Sequence, residues 1–412
     1  MSSKAKPTLK RALSLPMMVL YGLGTTIGAG IYALVGELAS VSGYLAPFSF
    51  LVAAFTAALT AMSYAELSGR YPRAAGVALY VKAGLSVETI SIIAGLLVVI
   101  TGIVSSSALV NGFIGYLGEF IELPRLVAIT IVVIMIGIIA AWGIAESVTI
   151  AATVTVIEVS GLLLIVIVGH ESLLEASHRW QEMMPSINLS SGHSILAGVL
   201  LAFYAFIGFE DMVDVAEEVK DVRHILPLAI LLTLLITMFI YILVMITALM
   251  SMPPDQLALT DAPLAMLYEY HTGEKAVLIG LIGMFAIING ALIQVIMASR
   301  VLYGMSSRKQ LPAFLSRINA ITRTPLLATV IITLTVLIVS SIGNLAALAE
   351  LTSVIMLTIF AIVNLSLMRI KLRHPEYSES LVFPFVVPLL GFIVSSSFVL
   401  KDILDILERL FS

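Results

Sequence analysis

Residues 17–39 read MMVLYGLGTTIGAGIYALVGELA. The stretch is apolar and long enough to cross a bilayer core, which takes about 20 residues. Yet Gly22, Gly24, Gly28, Gly30 and Gly36 all fall within it, and Gly28-Ala29-Gly30 lies near its middle. Glycine weakens a helix, although small residues also serve close packing between membrane helices. Packing alone predicts a stripe along one face. Thr25, Thr26, Gly28 and Gly30 instead cluster at one level, which favours an interruption of the helix.

Residues 201–219, LAFYAFIGFEDMVDVAEEV, carry a second interruption: Gly208 is followed closely by Glu210 and Asp211. An acidic pair inside an apolar segment is costly unless it faces a cavity or a partner. These two stretches are the first and sixth apolar spans of the chain. Two disrupted spans five apart fit an inverted repeat, in which an odd number of helices flips the second copy and brings both breaks to the midplane. Unwinding exposes backbone N–H groups at the start of one half-helix, which suit a carboxylate. It also exposes carbonyls at the end of the other half, which suit an ammonium or a metal cation. A zwitterionic α-amino acid matches both.

The rest of the chain agrees with a membrane setting. Of 412 residues, 60% are hydrophobic and 12% are charged, about half the charge of a soluble domain. A net charge of -4 gives no sign of nucleic acid, and the absence of cysteine removes disulfides, thiolate metal sites and thiol catalysis. Eleven apolar spans are expected, near 16–41, 44–68, 88–117, 125–143, 146–169, 193–217, 225–250, 275–303, 325–342, 345–368 and 382–401. With the N-terminus inside, 17 of the 22 Lys and Arg fall in inner segments. The positive-inside rule then sets a cytoplasmic N-terminus and, after an odd number of spans, an outer C-terminus. Residues 71–86 read as an interfacial segment on the inner face, and 171–192 as a solvated outer lid. Glu66 is expected at the inner interface with Arg70 and Arg73.

GTTIGAGIY (24–32), FYAFIGFED (203–211) and SRVLYGMSSRKQLP (299–312) together resemble the amino acid–polyamine–organocation permeases, which share the leucine-transporter-type fold. YPRAAGVALYV (71–81), DVRHILPLAI (221–230) and LAELTSV (348–354) extend the resemblance from about residue 12 to about 392. It implies an all-α polytopic membrane protein, a 5+5 inverted-repeat bundle with broken helices 1 and 6 and about eleven transmembrane helices. The divisions are a cytoplasmic arm (1–15), a first repeat (16–170), an outer loop (171–192), a second repeat (193–370), and an additional helix with its tail (371–412). Most members have twelve spans. The resemblance further implies an α-amino acid site in which backbone N–H groups of Ala29 and Gly30 hold the carboxylate and Thr26, Ile27 and Gly28 line the break. Carbonyls of Tyr204, Ala205 and Ile207 would receive the amino group, with Tyr204 and Phe206 as aromatic covers. Glu210 matches an acidic residue implicated in gating or protonation.

Glu158 is the only charge in the fifth span, SVTIAATVTVIEVSGLLLIVIVG (147–169). Proton-coupled relatives that resemble this chain place a lysine near this level. Burial raises a carboxyl pKa by desolvating its charged form, so Glu158 is a candidate proton carrier, or a cation ligand, with Glu210 as the second candidate. The expectation is a secondary active transporter for amino acids in the plasma or inner membrane. No cofactor is expected, and the proton is preferred over sodium as coupling ion. A polyamine or organic-cation permease, an exchanger and a non-transporting nutrient receptor are the alternatives; a homodimer stays open. An enzyme would need a nucleophile–base pair or a metal cluster at membrane depth, and the sequence offers neither.

Overall fold

The computed structural model describes residues 13–27, 30–72, 76–142, 148–185, 189–319, 321–322, 324–375 and 380–411. Gly28, Ala29, Arg73 and all but the last three residues of the expected N-terminal arm lie outside them. Within them the chain is helical, and the only bridge of strand type joins Leu13 to Val219. In lipid a backbone has no water to bond, so a helix that satisfies its own N–H and C=O groups is the form an apolar segment takes.

The helices are α1 (Leu15–Ile27), α2 (Gly30–Ser42), α3 (Ala46–Arg70), α4 (Gly76–Leu85), α5 (Glu88–Gly118), α6 (Arg125–Trp142), α7 (Val148–Val168), α8 (His170–Met183) and α9 (Leu189–Tyr204). After a tight 3-10 segment, Phe209–Glu218, come α10 (Val222–Ser251), α11 (Pro254–Leu257), α12 (Pro263–Thr272), α13 (Val277–Ser307), α14 (Leu326–Ile342), α15 (Leu345–Arg373) and α16 (Val386–Phe411). Among the described residues, eight helical runs are long and apolar enough to cross a membrane. The chain is a multi-span membrane protein. The first expected span takes in α1 and the first part of α2, on either side of residues 28–29, which are outside the described residues. Those expected at 146–169 and 325–342 contain the shorter apolar runs Ala152–Val168 and Leu326–Ile342.

Two connections carry more structure than their polarity suggests. Residues 76–85 form a helix whose Tyr80 and Val81 are wholly buried, packed against α5 and α15. In the segment expected to be a solvated lid lies α8, built largely from good helix formers (Leu, Glu, Ala, Gln). It packs on α10, where Arg179 Nη1 donates to the carbonyl of Met250 at 3.0 Å.

The core sits where α5 runs along α13, α3 runs along α10, and α1 contacts both α10 and α7. Glu66, wholly buried on α3, ties this body to the last two helices. Its carboxylate takes Arg70 Nη2 at 2.7 Å and Lys371 Nζ at 2.6 Å, and accepts the backbone N–H of Phe383 at 2.9 Å. The expected pairing with Arg70 is present, and Lys371 of α15 joins it. Asn364 of α15 adds a second polar link, donating to Thr60 Oγ1 at 2.8 Å and accepting from Ser63 Oγ at 2.6 Å.

Candidate functional site

α9 ends at Tyr204, and it does so beside the first span, where Ile27 of α1 and Gly30 of α2 flank positions 28–29, which lie outside the described residues. A Cβ on Gly30 would lie 2.6 Å from the Cα of Ala205, and one on Gly208 would collide with the Thr25 carbonyl. Gly208 also has a φ of +124°, a conformation that glycine alone adopts readily. Only glycine fits these two positions. The sixth-span break is thus in close backbone-to-backbone contact with the first span at Thr25 and Gly30.

Local hydrogen bonds shape the turn. The N–H groups of Phe206 and Ile207 donate to the carbonyls of Phe203 (2.9 Å) and Tyr204 (3.1 Å). Glu210 Oε2 accepts the N–H of Gly208 at 3.0 Å. Its carboxylate therefore sits at the start of the 3-10 segment, where the helix end favours negative charge.

Tyr241, buried on α10, ties the first span to the sixth-span break. Its hydroxyl lies 3.0 Å from the carbonyl oxygen of Thr26 and 2.9 Å from that of Ala205. One proton serves both acceptors, shared or in alternation. The ring packs against Phe206 (centroids 5.3 Å apart) and Phe50 (5.6 Å).

A cavity of about 30 Å³ lies between the breaks, lined by Thr25, Thr26, Gly30, Ser105, Leu109, Tyr204, Ile207, Gly290, Ile293 and Gln294. That is about one water's share of liquid volume. Among the described residues, neither the Oγ1 of Thr26 nor the Oε1 of Gln294, both buried, has a hydrogen-bond partner. The ring of Tyr204 is tethered, its hydroxyl 3.2 Å from both Oγ and the carbonyl oxygen of Ser105. Ile207, Ile293 and Gln294 also line a second cavity of about 590 Å³ that reaches Arg300 and Arg308 along α13, a volume ordinary for a small-molecule pocket. Glu210, Asp211 and Asp214 are on its wall.

Of the expected site residues, Thr26, Gly30, Tyr204 and Ile207 line the small cavity. Ile27 is buried in the core. Ala205 faces the site through its carbonyl, which meets Tyr241. Phe206 is fully buried between Phe50 and Tyr241, with centroids 6.1 Å and 5.3 Å away, and lines neither cavity. Glu210 belongs to the larger cavity. Glu158 is wholly buried on α7, a helix packed along α1, and its backbone carbonyl accepts Tyr32 Oη at 2.6 Å. Sequence reading passed over Tyr241, Ser105 and Asp214. A tyrosine in the apolar run MFIYILVM (238–245) was the available signal, since a buried phenol seeks a partner.

The chain is thus a multi-span helical membrane protein with a polar cavity where the first span meets the interrupted sixth. The chain belongs to the amino acid permease family, which it matches over residues 13–402. It is similar to the vacuolar cationic amino acid transporter 4 of Arabidopsis thaliana, with 30% identity over 89% of this chain and 64% of that protein. It is also similar to the branched-chain amino acid permease BcaP of Bacillus subtilis (26%) and to the methylthioribose transporter of the same organism (25%). Each of these two alignments covers 93% of this chain and 86% of the relative. The chain thus spans just under two thirds of the plant transporter's length and most of the bacterial permeases. These relatives are transporters and not enzymes.

Proposed function

We propose that this protein is a secondary active transporter of amino acids, working by alternating access around the two breaks. The observation that carries the reading is the fit of Gly30 against Ala205 and of Gly208 against Thr25 around a cavity lined by Thr26 and Tyr204. In this reading the backbone N–H groups of Ala29 and Gly30 take the carboxylate, with Thr26, Ile27 and Gly28 lining the space. The ends of α1 and α9 offer carbonyls to an ammonium. Tyr204 covers the solute from the α5 side, while Phe206 supports the turn from behind.

The architecture proposed is the 5+5 inverted repeat with eleven spans in the plasma membrane and the N-terminus in the cytoplasm. The larger cavity, reaching the Arg300–Arg308 end of α13, is then the cytoplasmic vestibule of an inward-facing state. Proton coupling is assigned to Glu158, which lies beside broken α1, with Glu210 as the second group. In proteoliposomes, uptake of labelled amino acids should follow an imposed pH gradient, and Glu158→Gln should remove that dependence while leaving exchange measurable. Sodium-driven uptake indifferent to pH would falsify the coupling assignment.

A polyamine or organic-cation permease is the second reading, favoured by the four carboxylates on the larger cavity, Glu210, Asp211, Asp214 and Glu218. Competition of a labelled amino acid by diamines during uptake separates the two.

A further inference from the structure

The larger cavity has a chemistry of its own. Asp211 is 6% exposed and its Oδ2 makes no hydrogen bond within the described residues. Gln294, 8% exposed, presents an equally unpartnered Oε1 to the same space. Asp214 is exposed on the same wall. Glu210 differs, since one of its oxygens is engaged by the N–H of Gly208. The lining therefore presents two buried acceptor oxygens without partners among the described residues. Buried acceptors without partners are costly, most of all a carboxylate.

Arg300 and Arg308 line the same cavity. No ion pair within 4 Å joins either to these carboxylates among the described residues. Along α13, Arg300 is six residues beyond Gln294, roughly 9 Å of helix, and Arg308 lies about 21 Å away. Between Gln294 and Arg308 the helix also turns Ile296, Met297 and Val301 to this cavity. A bare metal ion calls for a tight shell of oxygens, and no cluster of three or more metal-ligating side chains occurs among the described residues. A roomy cavity whose wall carries both unpartnered acceptors and apolar side chains suits an alkyl chain bearing an ammonium.

We infer that Asp211, Asp214 and Gln294 form a second binding site, in the vestibule and separate from the helix breaks, for the primary ammonium of an organic cation. The site needs no carboxylate on its ligand, which sets it apart from the zwitterion site proposed above. It holds whichever solute the breaks carry.

The test uses the purified full chain in detergent, where both faces are open, and follows apparent melting temperature and calorimetric binding. The probes are 1,4-diaminobutane and n-butylamine, with choline as a bulky quaternary control and leucine as a zwitterion. The wild type should bind the two primary amines in preference to choline. Asp211→Asn should weaken them roughly tenfold or more, the loss of one charge-assisted hydrogen bond. Asp214→Asn should weaken them to a smaller extent, and any response to leucine should persist in both variants. Diaminobutane binding unchanged in both variants overturns the inference, as does a wild type that ignores both amines or takes choline equally well. A protein that binds diaminobutane through Asp211 but no amino acid keeps this site and removes the reading of the breaks.

Discussion

Replacing Gly30 by alanine tests the contact on which the site depends. The added Cβ would lie 2.6 Å from the Cα and 2.9 Å from the Cβ of Ala205. Carbon atoms in good contact sit roughly 3.5–4.0 Å apart, so the start of α2 and the end of α9 must separate by about 1 Å. Ala205 offers no flexible side chain to yield, and its carbonyl is held by Tyr241. Overpacking of this kind costs about 1–3 kcal/mol. A displacement of about 1 Å in an oriented site typically costs on the order of 10²-fold in rate. Gly192→Ala in α9 is the control, because nothing lies within 4 Å of its added Cβ. Apparent melting temperature in detergent and initial uptake rate in proteoliposomes are measured together. Gly30→Ala should lose both, and Gly192→Ala should keep both. A Gly30→Ala protein with wild-type melting and uptake refutes the close approach, and equal losses in the two variants refute its location.

Three further outcomes are expected. Tyr241→Phe keeps the ring between Phe50 and Phe206 but leaves two buried carbonyls without their hydroxyl donor, which should cost about 1–3 kcal/mol of stability and weaken solute binding; unchanged thermal-shift titrations would count against the clasp. Glu66→Gln strips the shared anion from Arg70 and Lys371 and should destabilise by about 3–5 kcal/mol, read as a melting shift that a Lys371→Met partner substitution partly restores. Burial holds the His271 imidazole below its ordinary pKa of 6.5, while Ser251 Oγ lies 2.7 Å from its Nε2. The unfolded chain therefore takes up the proton first, and stability at this contact is present above about pH 6.5 and lost as pH falls below it. Amide exchange in α12 should accelerate, after correction for intrinsic rates, between pH 7.5 and 5.5, and His271→Gln should remove the effect.

The apolar spans were legible because membrane crossing imposes a length and a composition that survive without any tertiary information. Gly208 was legible for a similar reason, since a glycine ahead of two acids has no place in an uninterrupted apolar helix. Tyr241 was not, because its role exists only in three dimensions: its two carbonyl partners are 215 and 36 positions away. Tyr204 and Phe206 were read alike, yet they straddle the end of α9 and the turn sends one ring to the cavity and the other to the α3–α10 core. Asp214 fell outside the reading because a charge near the end of a span passes for a solvated one. Helix α8 was hidden by its polarity, which hydropathy counts against order although its residues favour helix.

The polar arithmetic at the breaks explains why glycine alone does not make the site. A helix interrupted inside lipid must find new partners for the freed groups. Here Glu210 receives the N–H of Gly208, and Tyr204 receives that of Ile207. The carbonyls of Thr26 and Ala205 share the single proton of Tyr241. At any instant one of the two has no full hydrogen bond from that hydroxyl. The Thr26 hydroxyl beside them, which can donate as well as accept, has no partner among the described residues. An ammonium brings three donors and no acceptor, so it suits carbonyls that must divide one hydroxyl proton. The glycines bring the backbones of the two spans together, and the shared proton of Tyr241 leaves acceptor capacity there for an ammonium.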